Sequence, residues 1–550
     1  MFGVTSVLRR GALAAVAAGL LVGLAGISPS VAAPADLAHP AGPVKAAGKS
    51  QEITNDSFWK DTSGNLIASQ GGGVFRFGDT YYWYGVHYQE AEPYAASPSK
   101  AYSTATFESI DVYSSKDAVN WTFRNRVATR ATALDIPTSK DVIGDAFSRM
   151  TSLADASWVG RMGVVRNEQT GKYVLVTQME TGFDKNVKTN HSVLFLESDT
   201  PAGDFTYANV QTQIPGVLYQ GTGDQTVFTD DDGQDYLVFS NQSGRANTYV
   251  ARIDPSDSPI VEPAVRVAVN PAGREGNAMF KANGRYYIAS SDLHGWNTSV
   301  THVIKSDSAD IQGSYGQEFV MKGTEKDYSH VTQTGFFFTV HGKKQSTVVF
   351  AGDRWADFAW NGIGYNQWMP LSFDGGDPVF HSLSSWKLDA KSGKWSVGKG
   401  NNYILNPEFA ADRVAVKQVT GWTTTVAEGS PSTDFVSNPT PGANSSRFAA
   451  ALGNPAGFAG SISQQNEVPA GTYTLSLLAR TTPGLQSAKI TMKDARGRVT
   501  SLDLGGVGSA WSAVSKTKVK LPAGVVTVSV EGSSSAGGTL AVDGLSLTRS

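Results

Sequence analysis

Five polar residues recur at one phase of a repeated hairpin pattern: Gln70, Arg161, Asp224, Glu275 and Gln333. Asp224 and Glu275 fall on adjacent repeats, which is how one protonated acid and one charged neighbour can be held at a single glycosidic oxygen. An arginine and two amides complete a ring of hydrogen-bonding groups suited to sugar hydroxyls. Taken singly, Asp224 also reads as a turn residue after Gly221-Thr222-Gly223, and Glu275 as a surface partner of Arg274. Their shared repeat position favours a site. Trp296, Trp355, Trp360, Tyr365 and Trp368 follow in loops rich in Gly, Asn and Asp, where such rings stack on sugar faces, with about half of them expected in the core. His294, in Asp292-Leu293-His294-Gly295-Trp296, is expected to line the same pocket.

Other chemistries lack their residues. Cysteine is absent, which removes thiolate nucleophiles, disulfides and Cys-ligated zinc. His87, His294 and His330 have no metal-ligand spacing, and Asp230-Asp231-Asp232 lacks the spacing of a calcium loop and reads as hairpin-turn chemistry. No metal and no cofactor is expected, and neither a Gly-x-Ser-x-Gly elbow nor a phosphate loop occurs.

The elements that must carry the ring are short strands. A small or polar residue, an apolar strand, a Gly or Asp turn and an aromatic-rich strand recur five times: Gly73-Val74-Phe75 with Thr80 to Tyr84, Gly163-Val164-Val165 with Lys172 to Leu175, Gln225 to Phe228 with Tyr236 to Phe239, Asn277 to Phe280 with Tyr286 to Ile288, and Thr334 to Phe337 with Thr347 to Phe350. Each copy reads as a β-hairpin. Further strands are expected at Asp111 to Ser114, Ser192 to Leu196, Thr248 to Arg252 and Thr301 to Lys305. Sheets of about four strands at a loose period are the signature of a β-propeller, here with five blades, whose innermost strands converge on a central channel.

The 550 residues are 40% hydrophobic, enough for large cores, so disorder throughout is excluded. Lys plus Arg total 46 against 49 for Asp plus Glu, a net charge of -3 that offers no attraction to nucleic acid or anionic membranes. Residues 1–33 carry Arg9-Arg10, an apolar run from Ala12 to Ile27 and Ser30-Val31-Ala32-Ala33, the pattern of a secretory signal; the run is short for a membrane span. Export without cysteine suits a secreted, extracellular bacterial protein with no membrane contact after signal cleavage. Residues 34–50 read as a flexible leader, 51–401 as the propeller and 402–550 as a β-sandwich of jelly-roll type, joined as an independent module. Its strands alternate at Thr472 to Leu477, Ala488 to Met492 and Val525 to Val530, and Trp422, Phe435, Tyr473 and Trp511 are core candidates.

The motifs Gly71-Gly72-Gly73, Tyr81 to Gly85, Asp224 to Phe228 with Asp230 to Gly233, Arg274 to Lys281, Gly295-Trp296-Asn297 and Gly352-Asp353-Arg354-Trp355, in that order over residues 65 to 395, resemble glycoside hydrolase family 43, nearest its galactan 1,3-β-galactosidase branch. The resemblance implies a five-bladed propeller, an inverting glycosidase, Glu275 as general acid and Asp224 as the carboxylate that tunes it. Gln70, Arg161, His294, Trp296, Asp353 and Trp355 are expected to bind substrate. Ala68-Ser69-Gln70-Gly71 stands where the family has its basic Asp, and Gln333 resembles the glutamine that the galactosidase branch uses instead. Val86 and Gly160 replace glutamates of that branch, and Glu90 or Glu92 could supply a displaced carboxylate. The C-terminal region resembles the sandwiches of carbohydrate-binding modules.

The expected function is an exported, exo-acting, inverting hydrolase that releases terminal galactose from β-1,3-galactan, with a polysaccharide or oligosaccharide as its partner. The alternatives are an exo-glycosidase for β-galactofuranose or arabinofuranose, and a carbohydrate-binding propeller without catalysis. Glu275 separates the binding propeller from the enzymes, because a binding protein needs no acid.

Overall fold

In the computed structural model the described residues are 51–137, 147–181, 191–218, 221–356, 361–444 and 446–550. The expected signal segment, the whole of the leader and Trp360 lie outside them. The described chain is almost wholly β-structure. Five antiparallel sheets follow one another, each built in chain order from an inner to an outer strand. Their first strands are Gln70–Phe77, Trp158–Arg166, Thr222–Thr229, Arg274–Ala282 and Gln333–His341. Each first strand neighbours the next, and the fifth neighbours the first.

Apolar residues fill the space between successive sheets. Val86, Ile110, Leu175 and Leu194 lie between the first and second, and Val176, Phe195, Leu237 and Tyr249 between the second and third. Val238, Met279 and Ile288 follow, then Phe280, Tyr287, Phe350 and Met369. Between the fifth and first sheets Trp83, Trp121 and Trp368 pack with Trp59, the Trp83 and Trp368 rings 4.5 Å apart. Truncating a buried Trp of this kind costs about 3–5 kcal/mol. Glu52–Thr54 pairs with Ser385–Asp389, which pairs with Lys394–Val397, so the start of the described chain is tied beside the end of the fifth sheet.

The expected hairpins and third strands are present; a fourth strand per sheet is expected too, but no segment of the sequence marks its position. Thr122–Thr129 and Thr206–Gln211 carry mostly polar, partly exposed residues, because an edge strand buries only one face. A further feature without a sequence signal is the turn Tyr328–Val331, in which all four residues have φ between 49° and 59°. Left-handed backbone costs roughly 1–2 kcal/mol per non-glycine residue, so tertiary contacts must hold this turn. Asp327 accepts from the His330 N–H at 3.0 Å and Thr332 donates to Ser329 O at 2.7 Å. Gln333 begins its strand immediately beyond.

Past residue 402 two five-stranded antiparallel sheets share one apolar core. Val526, Val528 and Val530 on Gly524–Ser534 alternate inward from one sheet, Leu475 and Leu477 on Gly471–Thr481 from the other. Trp422, Phe435 and Tyr473 lie in that core, whereas Trp511 stays half-buried beneath Arg480.

Candidate active site

All five ring positions carry the same local device. A register shift follows Gln70 and Glu275, encloses Arg161 and Asp224, and comes after Thr334, one residue beyond Gln333, so each first strand bulges at or beside its polar residue. A bulge re-aims a side chain out of the sheet's alternation, which is how residues of one repeat phase converge. Arg161 adopts φ 49°, uncommon for a residue with a side chain. Gly276 has φ 62°, and a Cβ there would stand 2.5 Å from Thr334 O. Only glycine fits, and its N–H donates to Asp224 Oδ2 at 2.7 Å.

Asp224 is held as an anion. Arg245 Nη1 stands 3.2 Å from Oδ1 and Arg161 Nη2 3.7 Å from Oδ2. Burial opposes its charge, but Arg245, then Arg161 and the Gly276 N–H, outweigh it and keep the carboxyl well below the usual carboxylate range. Glu275 goes the other way. Burial, then the Asp224 charge, push it up to about 7 against the opposing pull of Arg245, whose Nε is 4.0 Å away. Two neighbouring carboxyls are therefore driven apart, one charged and one able to hold a proton near neutrality. Arg274 takes no part: it pairs with Glu318 at 2.6 Å and Asp292 at 3.3 Å.

Gln333 is fully engaged. Its Nε2 donates to Glu275 Oε1 at 2.9 Å and to Gly295 O at 2.8 Å, and its Oε1 accepts from Trp355 Nε1 at 2.6 Å. Trp296 packs edge-on to Trp355 with ring centroids 4.8 Å apart. Gln333 thus touches Glu275 directly, closer than the about 6.5–9.5 Å that separates acid and base in an inverting glycosidase. Glu90 accepts from the Thr106 N–H and from the Thr104 and Thr106 hydroxyls, each at 2.8 Å, and Glu92 bonds His87. Both glutamates are engaged with residues of the first sheet and its loop. The Gln70 amide, 4% exposed, has no hydrogen-bond partner for either atom among the described residues.

Other expected contacts lie further back. Asp353 is wholly buried, paired with Arg161 at 2.8 Å and accepting from Asn366 Nδ2 at 2.9 Å; it anchors the arginine from behind. His294 is exposed on the loop whose Gly295 carbonyl meets Gln333. Trp368 is core, and Tyr365 packs on Phe58. Asp230 and Asp231 pair with Lys281, and Asp232 caps the Gln234 N–H at the hairpin turn. Val86 is packed in the core between the first two sheets, and a side chain at Gly160 would run into the Trp158 ring at 2.5 Å.

Sequence reading missed Arg245, Glu180 and His191. Glu180 lies 3.1 Å from His191. Burial, then Asp224, push Glu180 up to about 7, and burial pulls His191 down to about 4. These residues occupy strand ends and loops on the second and third sheets, outside the repeat phase that located the others.

Residues 73–361 match the family described as Glycosyl hydrolases family 43. An exo-β-1,3-galactanase from Phanerochaete chrysosporium, solved with β-1,3-galactotriose, is 20% identical over 89% of this chain and 99% of its own, with a TM-score of 0.52. An exo-β-1,3-galactanase from Clostridium thermocellum is 23% identical over 75% of this chain and 81% of its own, with a TM-score of 0.52. At these identities the likeness is one of fold. No curated protein matches the chain.

Proposed function

Since this chain belongs to glycosyl hydrolases family 43, we propose that it is an exported, exo-acting, inverting hydrolase that releases terminal galactose from β-1,3-galactan. The observation that carries the reading is the opposed ionisation of Asp224 and Glu275. In this reading the five sheets are the blades of a propeller, the ring of Gln70, Arg161, Asp224, Glu275 and Gln333 is its mouth, and the sandwich from about residue 402 is a carbohydrate-binding-type module. The galactan preference is supported by the fold shared with two exo-β-1,3-galactanases.

Glu275, protonated, donates to the glycosidic oxygen as the bond to the anomeric carbon breaks. Asp224 keeps that proton in place by its charge, and Arg161 and Arg245 keep Asp224 ionised. Gln333 fixes which oxygen of Glu275 faces the substrate. Water must attack from the opposite face, and the unpartnered Gln70 amide, on the first strand where the family carries its base, orients it. A neutral amide positions water without taking its proton, which passes to bulk solvent as the new C–O bond forms while solvent reprotonates Glu275; this implies slow chemistry and strict geometry. Glu180 supplies a further carboxyl for sugar hydroxyls on the second sheet.

A second reading, a furanosidase for terminal β-galactofuranose or arabinofuranose, draws on Val86 and Gly160, since neither position presents a carboxyl to a hexopyranose. A screen of aryl β-galactopyranoside, β-galactofuranoside and α-arabinofuranoside beside β-1,3-galactan separates the two. Glu275→Gln tests the enzyme reading against simple binding: hydrolysis should fall at least ~10²-fold while glycan affinity persists. Unchanged turnover in that variant would remove Glu275 from the chemistry.

A further inference from the structure

Residues 406–413, just past the last strand of the propeller-like half, form a strained segment rooted in the sandwich. Asn406, Phe409 and Arg413 have φ of 47°, 54° and 54°. Phe409 is wholly buried and packs on Trp422 in the sandwich core, with ring centroids 5.4 Å apart. Asn406 ties the segment together, donating to Thr420 O at 2.9 Å and accepting from the Ala411 N–H at 3.0 Å.

From that base the segment reaches the wall of the active site at three points. Ala410 and Ala411 pack on Val331, two residues before Gln333 and at the end of the left-handed turn. Ala411 O accepts from the Thr298 hydroxyl, which holds the loop carrying Gly295 and Trp296. Arg413, with no exposed surface, donates from Nη1 to Trp355 O at 3.1 Å and from Nη2 to Ala356 O at 3.0 Å. The fork meets two successive carbonyls at the end of the strand Ser346–Trp355, a geometry suited to guanidinium. Beyond it the chain of contacts continues from the Trp355 indole to Gln333 and from Gln333 to Glu275.

We propose that Arg413 is a positioning residue for the glycosidase acid: through the Trp355 backbone it fixes the indole that clamps Gln333, and so sets the orientation of Glu275. The C-terminal sandwich is then a structural part of the catalytic wall, beyond any role in holding glycan. This rests on Glu275 being the acid of the proposed reaction. A buried arginine is expected to matter for folding, so the discriminating readouts are the split between kcat and KM and the pH at which Glu275 loses its proton. Gln333 donates to the carboxylate and favours its charged form, so loosening that bond must move Glu275 upward.

The test uses full-length Arg413→Met, Arg413→Lys and Trp355→Phe, assayed on the glycoside the wild type cleaves fastest, with thermal unfolding as the check on folding. Arg413→Met should lower kcat at least ~10-fold with KM changed less than about threefold, and Arg413→Lys should recover part of the loss. The double variant Arg413→Met with Trp355→Phe should be no slower than Trp355→Phe alone, because both act through one contact. Independently of turnover, the carboxyl carbon resonance of Glu275, assigned in ¹³C-glutamate-labelled protein by its loss in Glu275→Gln, should titrate about half a pH unit or more higher in Arg413→Met. Should Arg413→Met fail to fold, Arg413→Lys and Trp355→Phe give the same readings. An unmoved titration in the folded variants, or losses that simply multiply in the double variant, would overturn the proposal. Failure of the wild type to cleave any glycoside would instead overturn the functional reading, and the titration would still decide the role of Arg413.

Discussion

Gln333 Nε2 stands 2.9 Å from Glu275 Oε1, so the amide at the fifth ring position is bound to the carboxyl on the fourth. Both of its N–H groups and its carbonyl are already engaged. Removing it should leave the acid charged less readily and free to turn. Gln333→Ala is expected to lower kcat at least ~10-fold with little change in KM and to move the alkaline limb of activity to higher pH. Initial rates across pH 5 to 9 check both effects; an alkaline limb that moves down would contradict the contact.

The pH profile itself follows from the two carboxyls. In the proposed reaction Glu275 must be protonated, and it is pushed up to about 7, so activity should be present below that pH and lost as pH rises through it. In Asp224→Asn the charge that raises Glu275 is gone while Arg245 and Arg161 still lower it. The alkaline limb should therefore shift to lower pH, with kcat reduced as well. A limb in Asp224→Asn at or above the wild-type position would show that Asp224 does not tune the acid.

Gln70, not Glu90 or Glu92, is expected to matter for the attacking water. Gln70→Ala should lower kcat by ~10²-fold, whereas Glu90→Gln with Glu92→Gln should keep kcat within about threefold and act mainly on the stability of the loop they cap. Steady-state kinetics of the three proteins decide it. The reverse ranking would move the base into the first-sheet loop.

A stability prediction concerns His302, which lies 2.9 Å from Asp292 and 3.2 Å from Glu318. Burial disfavours its charge, but the two carboxylates outweigh it and raise His302 to about 9 from 6.5; Glu318 falls to about 2 from 4.5 despite its own burial. The histidine's contribution is complete below about pH 6.5 and fades toward 9. That of Glu318 is complete above about pH 4.5 and fades toward 2. His302→Gln should thus cost about 1–3 kcal/mol, most between pH 4.5 and 6.5, and the gap in Tm should close near pH 9.5. A gap that does not vary with pH would refute the charged state.

What was legible in the sequence was periodic. The hairpin repeat points to Gln70, Arg161, Asp224, Glu275 and Gln333, and each first strand carries a bulge at or beside that residue. The bulges themselves were not legible, since they depend on register between strands, and neither was the left-handed turn at Tyr328–Val331, whose residue types give no sign of φ above zero. Arg245 follows the second strand of the third sheet in Gln242-Ser243-Gly244-Arg245, which reads as any polar turn. Arg413 and Trp355 are 58 positions apart, in halves expected to be independent, and no local pattern records their contact. Asp353 was assigned to substrate from its motif; only the fold places its carboxyl behind Arg161.

The central claim is that this chain removes terminal galactose from β-1,3-linked chains with inversion, and the anomer first released tests it most directly. Proton NMR during hydrolysis of β-1,3-galactotriose should show α-galactose appearing ahead of its mutarotation product, with galactobiose as the other early product. β-Galactose appearing first would contradict inversion, and a trisaccharide left intact while a furanoside is cleaved would contradict the galactan reading.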